Sequence, residues 1–143
     1  IDACKEVANI NHQGSMYAKH NLGFTYQNGL NGLHQSYSEA FFWYLKASNQ
    51  GLANSSYNLG RMYEYGLGMQ TSHVMARSLY IKTMAQEDTG PAAAKEAFER
   101  LGVLTLLAMN QKVEQGSMDE EVRFKFAKML KAWQVDEANT YFD

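Results

Sequence analysis

Four histidines, one cysteine and a short acidic run are the residues of this chain with the most chemical potential. His12, His20, His34 and His73 form no His-Glu-x-x-His motif and no pair four residues apart, so they lack the spacing with which one helix holds zinc. They read as surface or groove histidines. Cys4 stands alone, which excludes an intrachain disulfide and a cysteine-based zinc site. A thiol packed in a helix accounts for it. No Gly-x-Ser-x-Gly nucleophile elbow is present. Gly29, Gly32, Gly66 and Gly68 make neither a dinucleotide fingerprint nor a phosphate-binding loop, and turn geometry explains them. Asp119-Glu120-Glu121 falls at a helix start, where the helix dipole favours acids without any metal. No catalytic residue, metal site, cofactor or small-molecule substrate is expected.

The elements that carry these residues follow from size and pattern. At 143 residues, 45% hydrophobic and 20% charged, the chain is expected to form one soluble globular domain over 1–143. At that size it needs neither disulfides nor metal as staples. Thirteen Lys and Arg against fifteen Asp and Glu give −2, which disfavours nonspecific nucleic-acid binding. The longest apolar run, Val103–Met109, is interrupted by Thr105 and falls far short of the roughly 20 residues of a membrane span. The chain begins with Ile1 and shows no signal peptide, so a processed or excised piece is expected, with its compartment illegible.

The chain repeats itself. Asn21-Leu22-Gly23, Tyr26 and Gly29 recur as Asn58-Leu59-Gly60, Tyr63 and Gly66, an offset of 37. Ala40, Tyr44 and Lys46 recur as Ala76, Tyr80 and Lys82, an offset of 36, so one residue is lost in the intervening loop. Ala3–Gly14 resembles the second half of an upstream copy, and Ala97-x3-Leu101-Gly102 opens a degenerate last copy. Within each copy the apolar spacing is helical: Ala18, Leu22, Tyr26 and Ser55, Leu59, Tyr63 at four-residue steps, then Ala40, Trp43, Tyr44, Ala47. Gly23 and Gly60 sit mid-helix, where glycine costs about 1 kcal/mol against alanine. Their shared register predicts close approach of a neighbouring helix. Ser36-x-x-Glu39 and Ser117-x-x-Glu120 read as capping boxes, and Thr89-Gly90-Pro91 as a helix start. Gly14, Gly51 and Gly66 read as helix stops. Helices are expected near 2–12, 16–28, 36–49, 53–65, 72–86, 91–113 and 118–132, with a short turn at 135–141. The architecture is an all-α solenoid of stacked antiparallel helix pairs.

These motifs resemble the Sel1-like repeat, a relative of the tetratricopeptide repeat. Leu22-Gly23-x2-Tyr26 and Leu59-Gly60-x2-Tyr63 meet half of the tetratricopeptide signature. The period of 36–37, the Gly-rich loop after the first helix and Ala40-x2-Trp43-Tyr44-x-Lys46-Ala47 point to the Sel1-like branch. The resemblance covers 14–86, as repeats 14–50 and 51–87, with a partial copy at 2–13 and a degenerate copy plus capping helices over 88–143. Ser36 and Ser72 stand near positions where the family has Asp, and Ser48 and Met84 replace a small residue; these read as tolerated drift.

The resemblance implies a non-enzymatic module that binds a protein or peptide partner in a concave groove, without nucleic acid or membrane insertion. The groove register of related repeats falls on Tyr17, His20, Phe24, Gln27 and Asn28, then on Asn54, Tyr57, Arg61, Glu64 and Tyr65. Aromatic anchors beside amides and charges are the composition enriched in binding surfaces. In the last copy the register gives Glu96, Glu99, Val103, Leu106 and Leu107. Their apolar end is expected to be covered through Val122, Phe126, Met129, Leu130 and Trp133, with Arg123, Lys125, Lys128 and Lys131 facing solvent. A bacterial source is expected from the Asn- and Met-rich drift. An immunity or antitoxin-like inhibitor of a secreted toxin and a segment of a longer repeat scaffold are the alternatives. A hydrolase using Cys4 or a histidine is the reading from a third class.

Overall fold

A computed structural model of the chain describes residues 12–142, with the side chains of 15–90 and 92–132. The expected helix at 2–12 and Cys4 fall outside that range, as do the side chains of His12 and Trp133. Six helices follow in order: α1 His12–Asn28, α2 Tyr37–Asn49, α3 Ala53–Tyr65, α4 His73–Ala85, α5 Pro91–Glu114 and α6 Glu120–Phe142. No strand occurs among the described residues. The fold is an α-solenoid of helix pairs. It divides into two compact units, one ending at Leu101 and one starting at Gly102, so the boundary falls inside α5.

In the first unit α1 packs on α2, α2 on α3 and α3 on α4. Each pair is punctuated in the same way. Ser36 and Ser72 are the N-caps of α2 and α4, their hydroxyls accepting from the backbone N–H of Glu39 and Met75, each at 3.2 Å. The backbone N–H of each serine donates to the carbonyl of a repeat-equivalent tyrosine, Tyr26 at 2.8 Å and Tyr63 at 2.9 Å. The serines therefore do an acidic cap's work at the helix start. Because Ser36 N–H is spent on Tyr26, the return half of the expected capping box is not made. Gly66 closes α3 in the left-handed region at φ 66°. The N-cap of α3, Leu52, has no side-chain acceptor, and Asp88 supplies one from the loop after α4, its carboxylate accepting from Ala53 N–H at 3.1 Å.

The core lies between the pairs. Leu22, Ala40, Trp43, Tyr44, Ala47, Leu59, Met62, Ala76 and Tyr80 are all buried. The mid-helix glycines explain themselves here. A Cβ at Gly23 would lie 2.8 Å from the Tyr44 ring, and one at Gly60 would lie 2.7 Å from the Tyr80 ring. The rings of the second helices thus rest on bare backbone of the first, and the penalty of a helical glycine is offset by burial of an aromatic.

Three local expectations are corrected. Gly14 does not end a helix, because α1 already runs through it from His12. Ser48 is not drift: it is buried, and its hydroxyl bonds Ser56 Oγ at 2.6 Å. Ser56 Oγ in turn bonds Gln86 Oε1 at 2.7 Å, while Gln86 Nε2 donates to the Ser48 carbonyl at 3.1 Å. A closed polar ring of this kind needs the hydroxyl that alanine lacks. Ser117 does not cap α6; its hydroxyl donates to the Lys112 carbonyl at the end of α5, and Asp119 takes its place by accepting from Glu121 N–H at 2.9 Å.

In the second unit the expected cap face is rotated. Val122 and Met129 are exposed, whereas Leu130 packs on Gly102, where a Cβ would lie 2.7 Å from a Leu130 methyl. Arg123, expected in solvent, is half-buried and donates to Asn110 Oδ1 at 3.0 Å. Arg123, Ala127 and Leu130 stand at i, i+4 and i+7, so a mixed seam wins over the purely apolar one. Lys125 and Lys128 are exposed as expected, and α6 continues as one helix through 135–141.

Candidate partner-binding face

The ten residues of the groove register lie on α1 and α3, from Tyr17 to Asn28 and from Asn54 to Tyr65. The two helices meet through His20 and Ser55, Nδ1 to Oγ 2.7 Å. Three aromatics are left about half exposed: Tyr17 at 53%, Phe24 at 50% and Tyr65 at 52%. Arg61, Asn28 and Asn54 are also exposed. Asn28 closes its own helix end, Nδ2 donating to the Phe24 carbonyl at 3.0 Å.

The remaining members are half-buried or buried, and they turn inward onto the second helices. His20 stacks at a tilt on Tyr44, centroids 5.3 Å apart, and burial holds its imidazole pKa below the ordinary 6.5. Its repeat equivalent Tyr57 meets Tyr80 in the same way, at 5.7 Å. Gln27 accepts the Tyr44 hydroxyl at 2.7 Å, and its equivalent Glu64 accepts the Tyr80 hydroxyl at 2.7 Å.

The two equivalent clusters differ in charge. In the first, burial pushes the Tyr44 hydroxyl up to about 12, opposed by a hydrogen bond from the Asn58 side chain and the charge of Arg61. In the second, Arg100 clasps the Glu64 carboxylate through Nε at 3.1 Å and through a second, shorter contact from its terminal nitrogen. Burial alone would raise the Glu64 pKa, but the bonds from Arg100, Tyr80 and Tyr65 outweigh it and hold the carboxyl below its ordinary value. Tyr80 is pushed well up, by burial and by the adjacent carboxylate. Glu64 is thus a structural anion of the face, already neutralised from within. Tyr57 donates to Glu96 on α5, and burial with that carboxylate pushes its hydroxyl up to about 12. Cations lie over two rings of the face: Arg61 over Tyr57 at 6.0 Å, and Arg100 over Tyr65 at 5.9 Å.

Arg100, Asn58 and Ser55 are outside the groove register, yet they hold it together. One signal for Arg100 was present: Asn21, Asn58 and Arg100 each stand directly before a Leu-Gly pair. The cation at that position opens the copy that follows the one in which Gln27 is replaced by Glu64. Among the described residues no three His, Cys, Asp or Glu side chains gather to hold a metal, and no helix is long and apolar enough to cross a membrane.

The fold is that of a helical-repeat scaffold. The Sel1 repeat family matches residues 17–52 and 53–87, so the chain carries two Sel1 repeats. Sel1 repeats generally serve as non-enzymatic modules for protein–protein interaction. Among solved structures, a Sel1 repeat protein from Oxalobacter formigenes is similar over 98% of this chain and 94% of its own, at 24% identity and a TM-score of 0.56. No curated protein matches the chain.

Proposed function

We propose that the α1–α3 face is the concave groove in which this protein holds a segment of a partner protein. The observation that carries the reading is the half exposure of Tyr17 and Phe24 on α1 and of Tyr65 on α3, together with the exposure of Arg61 on α3. None of these side chains belongs to the buried repeat core, which is built from Leu22, Tyr44, Leu59 and Tyr80. Exposed aromatics next to arginine are the side chains whose truncation most often costs 2 kcal/mol or more of binding. His20, Gln27 and Tyr57 set the floor of the groove, while Asn28 and Asn54 offer hydrogen bonds at its edge. Glu64 contributes through Arg100 and Tyr65, which it positions. A bacterial source belongs to the same proposal and rests on the Asn- and Met-rich drift of the repeats.

A photo-crosslinking amino acid placed at position 24, and separately at 124, tests the reading in native extract. Phe124 is the matched control, since it is an aromatic 54% exposed on α6. A protein crosslinked from position 24 and not from 124 is the expected result. The same protein captured equally from both positions, or from 124 alone, would remove the groove from the account.

A further inference from the structure

Charge is distributed unevenly along this chain. Between His12 and Gln86 stand five Lys or Arg and two acids, a net +3; from Glu87 to Asp143 the count is seven against eleven, a net −4. One of the two acids in the repeats, Glu64, is neutralised by Arg100. The other, Glu39, lies in the first turn of α2 and belongs to neither helix of the α1–α3 face. That face therefore has no free carboxylate from either of its own helices.

Arg61 is its exposed cation. Among the described residues it has no ion pair; it lies over the Tyr57 ring, with the half-exposed Phe24 at the equivalent position of the preceding repeat. A guanidinium laid against an aromatic ring keeps its fork of donors directed outward, in the geometry that takes a carboxylate through two parallel hydrogen bonds. On α5 the Glu96 and Glu99 carboxylates belong to the same first unit, and Glu96 is bonded by Tyr57. Glu96, held at Tyr57, repels further negative charge, so the surface suits one carboxylate and not an acidic run.

We infer that Arg61 is the recognition point for a single Asp or Glu side chain of the partner segment, flanked by an aromatic or aliphatic residue that lies on Phe24. The inference rests on the groove reading and adds the chemistry of the ligand to it. The apolar neighbour covers a half-exposed ring, and the carboxylate meets a cation whose charge nothing in its own repeat cancels. Specificity then comes from the pair of features together, since apolar burial alone discriminates poorly between segments.

The test is selection of phage-displayed random 12-residue peptides on the full chain, on Arg61→Gln and on Phe24→Ala, each variant first checked for an unchanged circular dichroism spectrum and melting curve. The wild-type chain is expected to enrich peptides carrying Asp or Glu within two residues of an aromatic or Leu. The Arg61→Gln chain is expected to keep the apolar preference and lose the acidic one. For the best peptide, changing its acid to the amide should cost at least tenfold in Kd on the wild type and less than twofold on Arg61→Gln. Absence of acidic enrichment, or an equal loss on both chains, overturns the carboxylate while leaving the groove in place. Peptides that bind Phe24→Ala as tightly as the wild type overturn the groove reading itself, and a selection that enriches nothing overturns both.

Discussion

The two repeats solve one packing problem with two chemistries. In the first, the tyrosine that covers a helical glycine is held by neutral groups, Gln27 and Asn58 around Tyr44. In the second, the same ring position is held by charges, Glu64 and Arg100 around Tyr80. The ring geometry barely changes, with tilted neighbours His20 and Tyr57 at 5.3 and 5.7 Å. The difference shows that the scaffold fixes a ring and a hydrogen bond at that site and leaves the charge open. What the charged version adds is a directed tie from α3 to α5, at the desolvation cost of a buried carboxylate.

The shared part is the more fragile. Gly23→Leu and Gly60→Leu should each destabilise by about 3 kcal/mol, at the upper end of core overpacking, because the new side chain meets a buried ring that cannot move away. Thermal melts read this directly; parent-like melting in both variants would break the ring-on-glycine packing, and in only one of them the equivalence of the repeats. Next comes the part that differs. Arg100→Ala leaves the Glu64 carboxylate buried without its counter-ion and should cost about 2 kcal/mol, reduced from a fully buried pair because Arg100 is partly exposed. Asn58→Ala, its equivalent, removes one neutral hydrogen bond and should cost about 1 kcal/mol. Equal losses would mean that the charge has no role of its own. The double change Glu64→Gln with Arg100→Asn rebuilds the first repeat's chemistry in the second and should stay within about 1 kcal/mol of the parent.

Smaller effects separate the repeats by pH. Glu64 is held below its ordinary 4.5, so it stabilises the fold above that value and the contribution is lost as pH falls through its folded pKa. His20 is held below its ordinary 6.5 by burial, so the unfolded chain takes up its proton first and stability declines as pH drops below about 6.5. Melting temperature followed from pH 8 to 3 should therefore show two windows of loss. His20→Gln should remove the upper one, and the neutralised Glu64→Gln/Arg100→Asn pair should shrink the lower one. A single window unaffected by either change would contradict the assignment.

Much of this was legible before any coordinates. Recurrence of Leu22-Gly23 and Leu59-Gly60 set the repeat register, because a helical glycine recurring at one place has a neighbour that requires it. Helix bounds followed from Ser36, Gly66 and Pro91, whose backbone preferences are local. The misread features depend on partners distant in sequence. Ser48 passed as drift because its partners Ser56 and Gln86 lie in other elements. Arg123 was assigned to solvent because charge alone does not reveal that Asn110 waits on the facing helix. Glu64 was placed among the ligand-facing residues by register, and only the position of Arg100 turns it into an internal anion.

The central claim is that the exposed α1–α3 residues hold the partner and are dispensable for the fold. Calorimetric titration of the partner captured at position 24 tests it most directly, on the parent, on Phe24→Ala with Arg61→Ala, and on Lys125→Ala with Lys128→Ala. The groove pair should weaken binding at least tenfold, about 1.4 kcal/mol, at an unchanged melting temperature, and the α6 lysine pair should bind as the parent does. Weakening by the lysine pair with full affinity in the groove pair would place binding outside the α1–α3 face.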